Sequence, residues 1–362
     1  MNILYVIDFY KPHLGGVEKL FSSLAEKLDE KGDNITCITW RYDRNLKSEE
    51  YINGTKVIRI LSPSRMFFSL IALPKIIKEA RKADIIHTTT YSSAIGAWIA
   101  GKLTKEKVIV SVLEVWNNLW LKLPYISWFE KRVFKCFEKC LFKLKFEKYI
   151  AISGYTAKSL SELGIPGEKI IKIYNGIEYN LLIWKDPGLP FTFTYFGRAG
   201  VSKGLDLLMD AIENMVEIHP EIKFKFILSP QSKKIFKEIQ NRLKRGILQK
   251  NSSIYTELPY SSLINELLSS NCIVIPSYCE GFGFSAAEAS AMKIPLISSG
   301  MGSLPEVVSG KVITMNEFTS ESLLQAMEAA LNNQFEEIAF KEFTIDEFLL
   351  NHISLYEKVV NE

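Results

Sequence analysis

Short runs of Ile and Val alternating with helical periods constrain this chain more than any other feature, and the alternation occurs twice. Ile3 to Ile7 reads as a strand. Val17, Leu20, Phe21, Leu24 and Leu28 then recur at helical spacing, and Gly32 stops that helix. Further strands are expected at Ile35 to Thr39, Val57 to Leu61, Ile85 to His87, Val108 to Leu113 and Tyr149 to Ile152. A second series opens with a strand at Phe191 to Phe196, a helix at Leu205 to Ile218, a strand at Phe224 to Leu228 and a helix at Ile235 to Leu248. Strands at Ile254, Ile273 to Ile275, Leu296 to Ser298 and Val312 to Thr314 complete it. Uninterrupted apolar strands are buried on both faces, so each series predicts a parallel sheet between helical layers. Asn180 to Pro190, with Asp186, Pro187, Gly188 and Pro190, has linker chemistry. The expectation is α/β: two doubly wound Rossmann-like domains, residues 1–180 and 190–342, facing across a cleft, with a closing segment at 343–362.

Composition supports two cores and excludes several classes. The 362 residues are 47% apolar and 23% charged, which rules out a disordered, collagenous or coiled-coil chain. Lys and Arg exceed Asp and Glu by only 3, too little for a nucleic-acid partner across the surface. Lys223 to Lys250 is locally basic, but it lacks the interleaved aromatic platforms that an RNA site needs. The longest uncharged stretch, Ile85 to Gly101, is 17 residues and rich in Thr and Ser, too short and too polar to span a bilayer. Met1 to Ile7 has no basic leader and runs straight into a strand pattern. Cys37, Cys136, Cys140, Cys272 and Cys279 form no CxxC pair and read as buried reduced thiols. A cytoplasmic protein is expected.

Four segments fall where loops line the strand C-termini. Gly15-Gly16-Val17-Glu18 begins the first helix, and its glycines let a phosphate or sugar approach backbone amides. Gly197-Arg198-Ala199-Gly200-Val201-Ser202-Lys203-Gly204 ends the second series' first strand. It fits neither a P-loop nor a dinucleotide fingerprint, yet it offers two cations suited to a diphosphate without a metal. Glu280-Gly281-Phe282-Gly283-Phe284-Ser285-Ala286-Ala287-Glu288 sets two carboxylates around a Gly-rich turn, one for a ribose diol and one for a sugar. Ser299 to Glu306 is a further small-residue loop, on its own only a turn.

Taken in order, these pieces resemble the retaining glycosyltransferases of the GT-B fold, family four. The resemblance rests on Gly15-Gly16-Val17-Glu18, Asp84-Ile85-Ile86-His87, Ala151-Ile152-Ser153, Asn175-Gly176-Ile177, Gly197-Arg198 with Lys203-Gly204, Pro276-Ser277, Glu280 to Glu288, Lys293-Ile294-Pro295 and Leu304-Pro305-Glu306. Phe343 to Val360 resembles the family's last helix, which crosses back onto the N-terminal domain. The resemblance implies a nucleotide diphosphate sugar as donor and a glycan or lipid-linked acceptor. It implies catalytic roles for Arg198 and Lys203 on the diphosphate and for Glu280 at the donor sugar. Glu288 would hold the ribose, while Gly15, Gly16, Gly281, Phe282, Gly283 and Phe284 would complete the donor cradle. No Asp-x-Asp occurs, in keeping with a metal-independent reaction that needs no cofactor. His87 reads equally as a site residue or as a satisfied strand-end histidine.

Leu113 stands where the family usually has a His, and Thr89 replaces a second one. That departure supports a rival reading: a catalytically impaired nucleotide-sugar-binding homologue acting as a partner or regulator. An epimerase or hydrolase on the same scaffold is a third. Trp116 to Lys148 holds eight Lys and Arg against three Glu, with Trp116, Trp120 and Trp128. Ile126, Phe129, Val133, Phe137 and Cys140 fall on one helical stripe. Two readings stand for it: an amphipathic helix packed on its own sheet, or a peripheral contact with an anionic membrane inner face.

Overall fold

Strand after strand, the apolar runs become sheet centres. A computed structural model describes residues 1–362 except 14, 180–181, 230–231 and 257. The strands of the first series are β1 (Asn2–Val6), β2 (Asn34–Trp40), β3 (Glu49–Ile52), β4 (Thr55–Ile60), β5 (Ile85–Thr89), β6 (Val108–Val112), β7 (Lys148–Ala151) and β8 (Ile170–Lys172). Those of the second are β9 (Thr192–Arg198), β10 (Lys223–Ser229), β11 (Ser252–Tyr255), β12 (Cys272–Ile275), β13 (Leu296–Ser298), β14 (Gly310–Thr314) and β15 (Glu336–Ile338). Among the described residues the first sheet runs β3-β4-β2-β1-β5-β6-β7-β8 and the second β11-β10-β9-β12-β13-β14-β15. All neighbours pair in parallel except β3 with β4 and β14 with β15. β5, β6 and β12 are buried along their whole length, as strands covered on both faces must be.

The chain divides into two compact units. One comprises Met1–Asn117, Val133–Gly176 and Phe343–Glu362; the other Asn118–Arg132 and Ile177–Glu342. Asn180 and Leu181, the start of the expected linker, lie outside the described residues. The Gly16–Glu30 helix buries Leu20, Phe21, Leu24 and Leu28, and Gly32 follows it in the left-handed region at φ +85°. The second unit's core gathers Phe193, Phe224 and Phe226 from β9 and β10 beneath Leu208, Ile212 and Met215 of the Leu205–Ile218 helix.

Several local expectations change. The strand expected to reach Leu113 ends at Val112, so Leu113 and Glu114 lie in the following loop. The helix expected over Ile235 to Leu248 is two, Lys233–Leu243 and Leu248–Asn251, because Gly246 takes φ +56° between them. Asn53 and Gly54, both at positive φ, turn β3 into β4 as an antiparallel hairpin. Cys37, Cys272 and Cys279 are buried, whereas Cys136 and Cys140 are exposed.

Candidate functional site

In the second unit, three of the four loop segments converge on one carboxylate. β9 delivers the chain to Arg198, and the loop returns at Gly204, whose φ is +64°. A Cβ there would lie 1.8 Å from the Pro276 carbonyl oxygen, so only glycine lets this loop press onto the segment after β12. The Tyr278 amide donates to the Ser202 carbonyl at 2.8 Å and locks the approach. Lys203 is thereby set against Glu280, its Nζ donating to Oε1 at 2.9 Å and Oε2 at 2.8 Å. Ser277 Oγ adds a bond to Oε1 at 2.7 Å.

The loop after β13 grips the same residue from its backbone. Ser303 donates to the Glu280 carbonyl through both N and Oγ, each at 3.0 Å. Gly302, at φ +69°, allows this, since a Cβ would sit 2.5 Å from that oxygen. Ser299 Oγ donates to the Ser277 carbonyl at 2.7 Å. What reads in the sequence as a plain turn is therefore the clamp that fixes Glu280.

Lys203 and Glu280 side chains are each 12% exposed. An ion pair this enclosed holds its geometry because separating the charges would leave both poorly solvated. Tyr195 lies next to them, its hydroxyl donating to the Arg198 carbonyl at 3.0 Å. Burial and the Glu280 charge push its phenol well up, with Arg198 acting weakly the other way. Arg198 itself is exposed at the end of β9, and its guanidinium has no ion-pair partner among the described residues. Of the two cations singled out from sequence, Arg198 is the one whose charge is uncompensated.

Beyond Glu280 the chain turns through Gly281 and the buried Phe282, whose ring meets Phe284 edge-on at 5.2 Å. Gly283, at φ +86°, begins the Phe284–Ala291 helix without a side-chain cap. Ser285 Oγ donates to the Phe196 carbonyl at 3.0 Å and ties that helix to β9. Glu288 is half-buried, one turn into the helix. Lys203, Glu280 and Ser277 thus form one bonded group, with Arg198 and Glu288 on elements tied to it.

The first unit holds the remaining candidates. Gly15 caps the Gly16–Glu30 helix in extended backbone, and the Glu18 carboxylate folds back towards it to meet His13 Nδ1 at 3.3 Å. His87 is fully buried. Its Nδ1 lies 2.6 Å from Tyr356 Oη and its Nε2 2.8 Å from Ser111 Oγ, and burial holds its pKa well below the usual range. With both nitrogens engaged and no exposure, it is the satisfied strand residue. Leu113 lines a small cavity with Val17, Phe21, Ser111, Asn175 and His352.

Sequence reasoning missed two carboxylates here. Glu138 is 2% exposed and accepts from the backbone amides of Trp116 and Asn117 and from Tyr91 Oη, which fixes the start of the Asn117–Leu121 turn. Asp8, just past β1, is 8% exposed. Neither had a sequence signal beyond an acid beside a strand or within an apolar helix. No group of three or more His, Cys, Asp or Glu among the described residues is placed to hold a metal ion. No described helix is long and apolar enough to cross a membrane.

Comparison with known proteins gives this geometry a family. Residues 14–181 match Glycosyltransferase Family 4, and residues 184–344 match Glycosyl transferases group 1. The phosphatidylinositol N-acetylglucosaminyltransferase GPI3 subunit of Saccharomyces cerevisiae is 24% identical over 356 residues, covering 91% of this chain and 75% of its own. An uncharacterized glycosyltransferase of Methanocaldococcus jannaschii is 26% identical over 314 residues, 83% of this chain and 80% of its own. Among solved structures, Anabaena HepE in complex with UDP and glucose has a TM-score of 0.71 at 16% identity, with 99% and 100% of the two chains covered. Sucrose-phosphate synthase of Thermosynechococcus elongatus gives 0.74 at 17%, with 99% and 96% covered. The chain is a glycosyltransferase of the GT-B fold, a family 4 segment followed by a group 1 segment.

Proposed function

We propose that this chain transfers a hexosyl group from a nucleotide diphosphate sugar to a glycan or lipid-linked acceptor, with retention of configuration and without a metal. The observation that carries the reading is the Lys203–Glu280–Ser277 group with Arg198 beside it at the end of β9. Lys203 is neutralised by Glu280, so Arg198 supplies the net positive charge that attracts the diphosphate. As the bond from the sugar's anomeric carbon to the phosphate oxygen breaks, negative charge grows on that oxygen, and Arg198 and Lys203 stabilise it there. The acceptor oxygen bonds to the same carbon from the same face, and its proton passes to the leaving phosphate. Glu280 holds the donor sugar, Glu288 the ribose hydroxyls, and the Gly281 to Phe284 turn the sugar and phosphate. Gly15 and Gly16 present backbone to the phosphates, as the family's glycine loop implies. The relative that bears UDP and glucose supports the donor class.

The test is a panel of nucleotide diphosphate sugars, read by calorimetry and by transfer. Glu288→Ala is expected to weaken nucleotide binding, and Arg198→Ala or Lys203→Ala to cut transfer by about 10²-fold. Unchanged turnover in all three sinks the reading. Leu113 favours a second one, a chain that binds donor without turning it over, acting as a partner or regulator in the cytoplasm. Donor binding with no transfer, and transfer restored in Leu113→His, would establish it.

A further inference from the structure

The side chain of Tyr278 has no role above, although Tyr278 stands two residues before Glu280 and next to Ser277. It is half-buried between the buried Ser277 and Cys279, and its ring meets Phe318 at 4.5 Å with an interplanar angle of 63°. Both ends of the residue bond to the segment that carries Lys203. The amide donates to the Ser202 carbonyl at 2.8 Å, and Oη donates to Asp206 Oδ2 at 2.7 Å. Ser202 precedes Lys203 and Asp206 follows it, so a single tyrosine grips the chain on both sides of the lysine.

Asp206 is a firm anchor for that grip. It lies in the first turn of the Leu205–Ile218 helix, where the unpaired amides of the helix end favour a carboxylate. Its Oδ1 is buried without a hydrogen-bond partner among the described residues, which leaves the Tyr278 bond to Oδ2 as the one that matters. A hydroxyl donating to an ionised carboxylate makes a shorter and stronger bond than a neutral pair does. Burial first, and then the Asp206 carboxylate, push the Tyr278 phenol well up, so it keeps its proton and remains a donor.

The Lys203 segment needs such a tie. Gly197, Gly200 and Gly204 fall within eight residues, and Gly197 and Gly204 take positive φ, so the loop has little stiffness of its own. Bonds from outside supply it. From Asp206 the path runs through Tyr278 to Ser277, whose Oγ donates to Glu280 Oε1, and from Glu280 to Lys203 Nζ. Lys203 is joined to Asp206 by the backbone, so the path closes on itself and fixes the ammonium against the carboxylate. A misplacement of about 1 Å in such a group can cost about 10²-fold in rate. We infer that Tyr278, anchored by Asp206, is a positioning residue that holds Lys203 and Glu280 in register for transfer. Its effect on turnover rests on the transfer reading above; its coupling to the ion pair does not.

Two measurements on the full chain test it. The first is a double-mutant cycle in urea, which needs no substrate. Tyr278→Phe keeps the ring and the backbone bond and removes the hydroxyl alone. The drop it causes in the urea midpoint should shrink by about half or more in a Lys203→Ala background, because the hydroxyl acts through the ion pair. Equal drops in both backgrounds overturn the proposal, since a merely structural hydroxyl would give additive losses. The second uses the donor that the parent chain turns over. Tyr278→Phe and Asp206→Ala should each cut kcat by about tenfold with the donor KM held within about twofold, and the double variant should be no worse than either. Asp206→Asn, which keeps an acceptor oxygen for the hydroxyl, should restore most of that kcat. Full kcat in Tyr278→Phe, or a loss that falls on KM alone, overturns the positioning role. A parent chain with no turnover on any donor refutes the transfer reading instead, and the urea cycle then decides the coupling by itself.

Discussion

Lys203 and Glu280 share an enclosed ion pair, so neither can be replaced without exposing the other's charge to a poor solvent. Lys203→Ala should lower stability by about 3 kcal/mol, read from the urea midpoint, whatever its effect on transfer. Glu280→Gln added to Lys203→Ala should recover most of that loss, since the stranded charge is gone; a double variant no better than the single one would deny the coupling. The residue types of this group were legible in the sequence, because cations in a Gly-rich loop and an acid before a helix are what a sugar diphosphate needs. Their mutual bond was not. It depends on Gly204 and Gly302 bringing three loops that lie far apart in sequence to one point. His87 shows the reverse: its residue type suggested chemistry, and only Tyr356 and Ser111 on other elements reveal that both nitrogens are occupied.

The Trp128–Leu141 helix is where spacing misled. Ile126, Phe129, Val133, Phe137 and Cys140 make a clean stripe, yet Phe129 is 70% exposed and Val133 42%, and the helix buries Glu138 and Leu141 instead. Periodicity reports that a face is apolar, not that a partner covers it. Trp128 is 68% exposed, with the Arg132 guanidinium 3.6 Å over its ring. An uncovered apolar stripe with flanking cations is the chemistry of a membrane-surface helix. Binding to vesicles rich in anionic lipid is therefore expected at low salt, falling as salt rises and dropping severalfold in Trp128→Ala with Phe129→Ala, measured by sedimentation. Absence of binding at low salt would remove the membrane contact. Other elements went unread: β3 was not expected, although Asn53-Gly54 is the turn that joins it to β4, and β8 and β15, three residues each, carry too little pattern to be seen.

At the scale of the molecule, the repeated alternation of strands and helices sufficed for the two parallel sheets. It could not show that the Ile345–Asn361 helix joins the first unit, because that depends on side chains more than 250 residues apart in sequence. Tyr356 Oη meets His87, and His352 packs 5.9 Å from the same ring. Both histidines are held neutral by burial, His87 well below its usual range and His352 at about 4. In the unfolded chain they take up protons near pH 6.5, so the unfolded state gains protons first and stability falls from about pH 6.5 to about 4. Asp8 acts oppositely, taking its proton in the folded chain near pH 6. Two histidines outweigh one carboxyl. Urea midpoints should fall between pH 7 and 4.5, and His352→Gln should flatten that slope; a slope unaltered by the substitution would place the acid sensitivity elsewhere.

That helix also sets a timetable for the growing polypeptide. The first sheet's seam beside β5 stays open until Tyr356 and Val359 have been made and have left the ribosome. At bacterial or eukaryotic elongation speeds, this is roughly 20 to 70 s after the first residue. Unlike a domain that completes itself as it emerges, the amino-terminal unit must wait with Tyr5, Phe21 and His87 uncovered while residues 177–342 of the second unit are synthesised.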